Sequence, residues 1–424
     1  MLAAMFPLHA MAIAILIALF LLWNLDFIAT MLNLKALGRP LPEELRGMYD
    51  DERLQKTKDY LGARAKSDVI ESTVSLTLLL GFWLAGGFPW LDDLARGWFP
   101  ASPVAAGTVF LAVLLGGQYL LSLPLQIHDT FGTEARFGFN RTTPALFVAD
   151  QLKGLALAAI LGLPLAAGVI WIFLRVPHAW LIAWAVVTAF QILMTYLAPA
   201  LIMPLFNRFE PMPEGELKTA IEDLATRCEF PLAEVCLMDG SKRSTKANAF
   251  FTGFGKHKKI ALFDTLVEKH SVEELVAVLA HEIGHFKLRH ITQRLAVSLV
   301  QSAALFFLLG IATDPHGSFA RLLFDAFGVK QISPHVGLVL FGILFSPVSR
   351  LLGVFSHAWS RRHEFQADAF ARESVGSPVP LCSALQKLST DQLAHPAPHS
   401  LRVWLDYSHP SLLDRLRALN GSRA

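Results

Sequence analysis

Residues 180–203 read WLIAWAVVTAFQILMTYLAPALIM, and no charged side chain interrupts them. An α-helix rises about 1.5 Å per residue and the hydrocarbon core of a bilayer is about 30 Å thick, so a run of this length crosses a membrane. Toward the N-terminus, residues 8–28, 69–88, 104–127 and 154–174 pass the same test; toward the C-terminus, 295–312 and 336–355 do. The 424-residue chain is 53% hydrophobic and only 17% charged, which excludes an ordinary soluble domain. The expected fold is therefore mainly α, a polytopic integral membrane protein with seven transmembrane helices. The first run lacks a basic n-region and a small-residue cleavage site, so it is expected to be a retained span and not a signal peptide.

Charge sets orientation more than it advertises a ligand. The net charge is +2, which gives no reason to expect a nucleic-acid partner. Lys35, Arg39, Arg46, Arg53, Lys56, Lys58, Arg64 and Lys66 crowd the first connector, whereas the second carries only Arg96. The positive-inside rule then places the first connector in the cytoplasm, the N-terminus outside and the C-terminus inside. Residues 204–294 and 356–424 fall on the same cytoplasmic side. Asp150, Lys153, Glu71, Gln118 and Gln126 lie in or beside spans, where they either line a wet interior or snorkel to the headgroups. The three cysteines, Cys228, Cys236 and Cys382, have no metal-ligand spacing and read as reduced core residues.

Downstream of the fifth span, Ser271-Val272-Glu273-Glu274 fits a capping box that opens a helix running into His281-Glu282-Ile283-Gly284-His285. Histidines four apart project from one helical face and can direct imidazole nitrogens at one ion. Glu282, one residue on, can take the proton of a water polarised by that ion. The bland alternative is a charged surface helix that carries two histidines by chance. A third histidine in the metzincin manner is excluded, because Leu288 and Ile291 occupy the required positions and His290 is one residue out of register.

A carboxylate is the other option for the third ligand. The best candidate lies in Arg361-Arg362-His363-Glu364-Phe365-Gln366-Ala367-Asp368, where Glu364 and Asp368 share a helical face. Glu364 could bind the ion while Asp368 accepts the spare N–H of a ligand histidine. Acidic pairs at this spacing are common, so taken alone this pair is weak. A structural zinc site in a channel, transporter or receptor is the rival from another class, but such sites are closed by four protein ligands and only three candidates are evident.

Four blocks together resemble the CAAX prenyl protease 1 family of integral-membrane zinc endopeptidases. They are His281–His285, Arg361 to Phe370, His409-Pro410-Ser411-Leu412-Leu413-Asp414-Arg415-Leu416, and Lys246-Ala247-Asn248-Ala249-Phe250-Phe251-Thr252-Gly253-Phe254. The resemblance covers nearly the whole chain and implies one Zn2+ on His281, His285 and Glu364. It further implies Glu282 as catalytic base, Asp368 as a supporting or proton-donating acid, and His409 and Arg415 close to the site. A capped, solvated C-terminal helix is the bland reading of His409 and Arg415. The family's seven helices enclose a chamber with a zincin-like catalytic region at its cytoplasmic end, and residues 132–143 also resemble a family segment.

Residues 248–251 and 259–263 read as short strands about a turn at 253–255, with Asp264 starting a helix. The edge at Asn248, Ala249 and Phe250 could take an extended peptide by strand addition, or the hairpin is purely structural. The expected organisation is five spans in 1–203, a catalytic segment in 204–294, two spans in 295–355 and a C-terminal segment with the third ligand in 356–424, all one unit. The implied substrate is a peptide near a prenylated C-terminal CAAX motif, or another membrane-associated peptide. The C-terminal residues lack a di-lysine retrieval signal, which fits a bacterial plasma membrane.

Overall fold

The protein is described here by a computed structural model covering residues 9–252 and 258–421. The expected turn at 253–255 lies outside the described residues. Seven helices are long and apolar enough to cross a membrane: Ala10–Ala36, Asp51–Leu84, Pro103–Glu134, Pro144–Arg175, Ala179–Phe206, His290–Ala312 and Pro334–Val375. Local chemistry explains where several begin. Ser102 and Thr143 cap the third and fourth spans by accepting hydrogen bonds from Ala105 N and Leu146 N, with a proline at the first helical position of each.

Each span packs against the next, and the seventh closes back on the first, so the helices form a ring. Its wall is thin: at most 22% of the most apolar window of any span is buried. A solid bundle would bury one face of every helix, so the spans of this ring are sparsely packed along their apolar stretches. One end is plugged by a core of Ile15, Trp83, Phe88, Phe110, Ile170, Leu309, Phe324, Phe327 and Leu340, drawn from the ends of the spans and from two short helices, Gly87–Trp98 and Ser318–Ala326. Polar groups on the third and fourth spans satisfy one another: Tyr119 OH donates to Gln151 Oε1 (2.9 Å) and Gln126 Nε2 to Ser122 Oγ (2.8 Å).

Most spans run further than the apolar pattern suggested, the second and the seventh furthest. The second starts at Asp51, capped by Asp50, so much of the basic first connector is helical. The seventh continues past 355 to Val375, because no glycine or proline intervenes before Gly376, whose φ of 79° ends it. The anticipated boundary at 355 thus falls inside one helix. That continuity carries Glu364 and Asp368 on one helix from the membrane body to the helix Val272–Lys287.

Residues 204–294 hold a small mixed sheet of β1 (Phe209–Pro211), β2 (Leu232–Met238), β3 (Ala249–Thr252) and β4 (Lys258–Phe263), in the order β1-β2-β4-β3. β1 runs antiparallel to β2, β2 parallel to β4 and β3 antiparallel to β4, with Ala249 opposite Leu262. β3 ends the sheet, so one of its edges has no strand partner among the described residues. Leu275, Leu279 and Ile283 on the helix Val272–Lys287 pack with Ile260, Leu262 and Leu224 beneath the sheet. Asp150 of the fourth span pairs with Arg243 (2.8 and 3.0 Å), and Lys153 Nζ donates to Leu205 O (2.7 Å). The membrane body is thereby tied to the segment leading into β3.

Candidate active site

The helix Val272–Lys287 starts with the anticipated capping box, Ser271 Oγ accepting from Glu274 N (3.3 Å) and the Glu274 carboxylate from Ser271 N (2.9 Å). Glu274 is also held by Lys387 (2.8 Å), which joins this helix to Val379–Asp391. Its core face fixes its roll, and that roll turns His281 and His285 toward the seventh span. Gly284 lets the two helices meet: a Cβ there would lie 3.2 Å from Ala367 Cα and 3.1 Å from the Phe370 ring. Close approach is what puts Glu364 beside both histidines.

The three anticipated ligands converge. His281 Nε2 is 3.3 Å from Glu364 Oε2, His285 Nε2 is 3.3 Å from Glu364 Oε1, and the two Nε2 atoms are 3.2 Å apart. One donor atom from each residue fits within 4.8 Å of the others, the geometry of a metal site. Glu364 is 2% exposed, and among the described residues its Oε2 receives no hydrogen bond. A buried carboxylate oxygen facing two ring nitrogens calls for positive charge on or between them. Burial disfavours a charged His281 ring, yet the Asp368 and Glu364 carboxylates beside it outweigh that and hold its pKa up, at about 9. The site favours positive charge, so this donor set fits a divalent metal.

Behind His281, Asp368 Oδ1 lies 2.8 Å from Nδ1. Arg415 grips Asp368 at both oxygens, through Nε (2.8 Å) and Nη2 (2.6 Å), and is itself buried. Arg415 sits on the helix Leu412–Leu419, which Ser411 caps by accepting from Asp414 N (3.2 Å). The solvated-helix reading of this tail is thereby set aside for Arg415. His409 is exposed, and its Nε2 comes within 3.5 Å of Glu364 Oε2 from the open side. Glu282 is half-buried; burial pushes its carboxyl above the usual range, against the pull of His281 and His285.

Ala249 and Phe250 lie on β3, the strand that ends the sheet, and Asn248 lies just before it. Asn248 O accepts from Phe263 N (3.0 Å) and Phe250 stacks edge-on to Phe263. Among the described residues, no hydrogen bond or ring contact joins these three to His281, His285 or Glu364. Two residues that pattern reading passed over do touch the site: His290, 3.0 Å from His285, and Gln366, 3.0 Å from His290. The signal was faint, because His290 enters only as a residue out of register and Gln366 as an uncharged neighbour of Glu364.

Comparison with known proteins decides the relationship. Residues 30–208 match the family model described as CAAX prenyl protease N-terminal, five membrane helices, and residues 211–423 match peptidase family M48. The chain is 35% identical to CAAX prenyl protease 1 of Saccharomyces cerevisiae, over 90% of this chain and 88% of that protein. The chain belongs to the CAAX prenyl protease 1 family. A homologue from Arabidopsis thaliana is 34% identical, with 92% of each chain covered, and one from Homo sapiens is 33% identical, with 89% and 88% covered. The crystal structure of S. mikatae Ste24p superposes with a TM-score of 0.91 at 32% identity, covering 98% of this chain and all of that one. As a member of the CAAX prenyl protease 1 family, the chain is a multi-pass membrane metalloendopeptidase.

Proposed function

We propose that the chain is a zinc-dependent endopeptidase that hydrolyses bonds near the C-terminus of prenylated CAAX-type peptides or other membrane-associated peptides. The reading is carried by the convergence of His281, His285 and Glu364 beside Glu282, at the end of the helix ring opposite its packed plug. These three residues would hold one zinc ion, which would supply a Lewis acid for the scissile carbonyl and lower the pKa of water toward neutrality. Glu282 takes the proton of the attacking water and passes it to the leaving amine; its raised carboxyl pKa suits a base working near neutrality. His409, reaching in from the exposed side, donates to the oxygen that gains charge as the carbonyl becomes tetrahedral. Asp368 accepts the His281 Nδ1 hydrogen and fixes that ring, while Arg415 keeps Asp368 ionised and in place.

The strand carrying Asn248, Ala249 and Phe250 has a free edge, whose unpaired backbone groups could take an extended peptide. Main-chain pairing makes few side-chain demands, which suits a peptidase. The charge asymmetry of the connectors supports an N-terminus outside and a C-terminus in the cytoplasm, in the inner membrane if the source is bacterial. Spans and aqueous segments work as one unit, since the ligand Glu364 stands on the seventh span's own helix.

Zinc content and cleavage of a farnesylated CAAX peptide and its unprenylated twin, by wild type and Glu282→Gln, test this function. The expected result is one zinc per chain in both proteins and a fall of about 10²- to 10⁴-fold in the variant's rate. Wild-type turnover by the variant would remove Glu282 from the mechanism. A zinc-loaded wild type that cleaves neither peptide would overturn the substrate reading.

A further inference from the structure

We propose that His290 and Gln366 are positioning residues: a neutral hydrogen-bond chain from Gln366 through His290 fixes the tautomer and orientation of His285 and so sets the metal affinity of the site. The proposal rests on the metal reading above. His285 turns Nε2 toward Glu364 Oε1 (3.3 Å), so Nε2 must keep its lone pair for a cation and the ring hydrogen belongs on Nδ1. That Nδ1 is 3.0 Å from His290 Nδ1, which must then accept. A neutral His290 ring accepting at Nδ1 carries its hydrogen on Nε2, and Nε2 is 3.0 Å from Gln366 Oε1, an obligate acceptor. With both rings neutral and Gln366 presenting Oε1, the three side chains admit one hydrogen arrangement, and it is the one in which His285 can ligate.

The backbone makes this chain rigid. Arg289 adopts a left-handed conformation (φ 59°) between the metal helix and the sixth span, and this turn drops His290 back beside His285. His290 is 2% exposed and stacks on His363, with centroids 3.9 Å apart and planes 5° from parallel. His363 and Gln366 are three apart on the seventh span's helix and share a face, so one fixes the plane of His290 and the other its edge. His363 is in turn braced by Trp359 (4.7 Å). The same helix thus presents Glu364 to the metal, Asp368 to the back of His281, and the His363–Gln366 face to the partner of His285.

Zinc affinity by chelator competition, and the visible spectrum of the Co2+-substituted protein, test this on the full chain in detergent. Three variants separate hydrogen bonding from packing: His290→Phe keeps the stack on His363 but removes the acceptor, His290→Asn keeps an acceptor near the Nδ1 position, and Gln366→Leu unties the far end. Outer partners of ligand histidines are worth about 10- to 100-fold in metal affinity. The expected order is a loss of that size with altered Co2+ bands for His290→Phe, a smaller loss for Gln366→Leu, and near wild-type binding for His290→Asn. Wild-type affinity in His290→Phe overturns the proposal, and so does equal loss in Phe and Asn variants, which would assign the effect to packing. If His290→Phe does not fold, Gln366→Leu decides, and unchanged zinc affinity and Co2+ bands there overturn the proposal. A wild-type chain that takes no zinc overturns the metal reading and this proposal with it, whereas zinc-loaded wild type with indifferent variants overturns this proposal alone.

Discussion

The seventh span ends in the same trio of residue types at both extremities. At its start, His335 Nε2 meets Asp92 Oδ1 at 2.7 Å, and Arg96 Nε holds the other Asp92 oxygen at 3.0 Å. Near its far end, the same helix brings Asp368 to His281 at 2.8 Å with Arg415 behind it. All four histidine and aspartate side chains are buried. Yet the first trio is walled in: a Cβ on Gly107 would stand 2.7 Å from His335 Nδ1, so the third span presses directly on that ring. Among the described residues no second histidine or carboxylate joins it, whereas at the other trio His285 and Glu364 complete a donor set. A buried His–Asp–Arg cluster is a lock by default, and it becomes part of a site only where further donors converge.

The largest effect should come from removing a donor. Glu364→Ala is expected to abolish stoichiometric zinc binding and detectable peptide cleavage while the variant keeps its helix content and extracts as a folded membrane protein. Full zinc occupancy in that variant would name a different third ligand. At the outer trio, Asp92→Ala should cost about 3 kcal/mol of stability, since it strands Arg96 and His335 without their counter-charge, but leave zinc stoichiometry intact. Thermal inactivation and metal analysis on the same preparation read both quantities. Asp368→Asn should do the reverse, weakening zinc by about 10- to 100-fold with a smaller stability change. If the two aspartates gave the same phenotype, the distinction between lock and site would collapse.

The outer lock should also show in pH dependence. Burial pushes the Asp92 carboxyl up, but hydrogen bonds from His335 and Arg96 outweigh it and hold its pKa below the usual carboxylate value. A depressed folded-state pKa stabilises the protein above the unfolded-state value near about 4, and that contribution disappears as pH falls through the folded value. Wild type should therefore lose stability faster than Asp92→Ala on acidification below about pH 4, seen as converging inactivation rates. The smallest effect belongs to the helix cap: Ser271→Ala should cost about 1 kcal/mol, without altering zinc content. A large loss of zinc there would mean that the cap, and not the packed face, sets the roll of the metal helix.

Much of this was legible in the chain itself. The seven spans follow from runs of about 20 apolar residues, because the bilayer filters sequence by length and hydropathy before any packing is chosen. His281, Glu282 and His285 follow from helical periodicity, and Glu364 and Asp368 from the same rule applied one helix later. Where reading stopped short, the missing information was non-local. Whether Glu364 would meet His281 and His285 depended on a close approach of two helices, which Gly284 permits and no pattern announces. His290 looked like a failed ligand because its role depends on a left-handed turn at Arg289, a conformation that non-glycine residues adopt only in context.

Sequence by itself therefore determined the membrane spans, the capped helix that carries His281 and His285 and the types of donor available, since each depends on neighbours within a turn or a bilayer thickness. Only the tertiary structure decided which donors meet, which histidine leans on which partner, and that Asp92 finds His335 across 243 positions. Those outcomes depend on helix approach and roll, fixed by packing summed over the whole ring and the core beneath the sheet. A chain position specifies what a side chain can do; the packing of distant helices specifies what it faces.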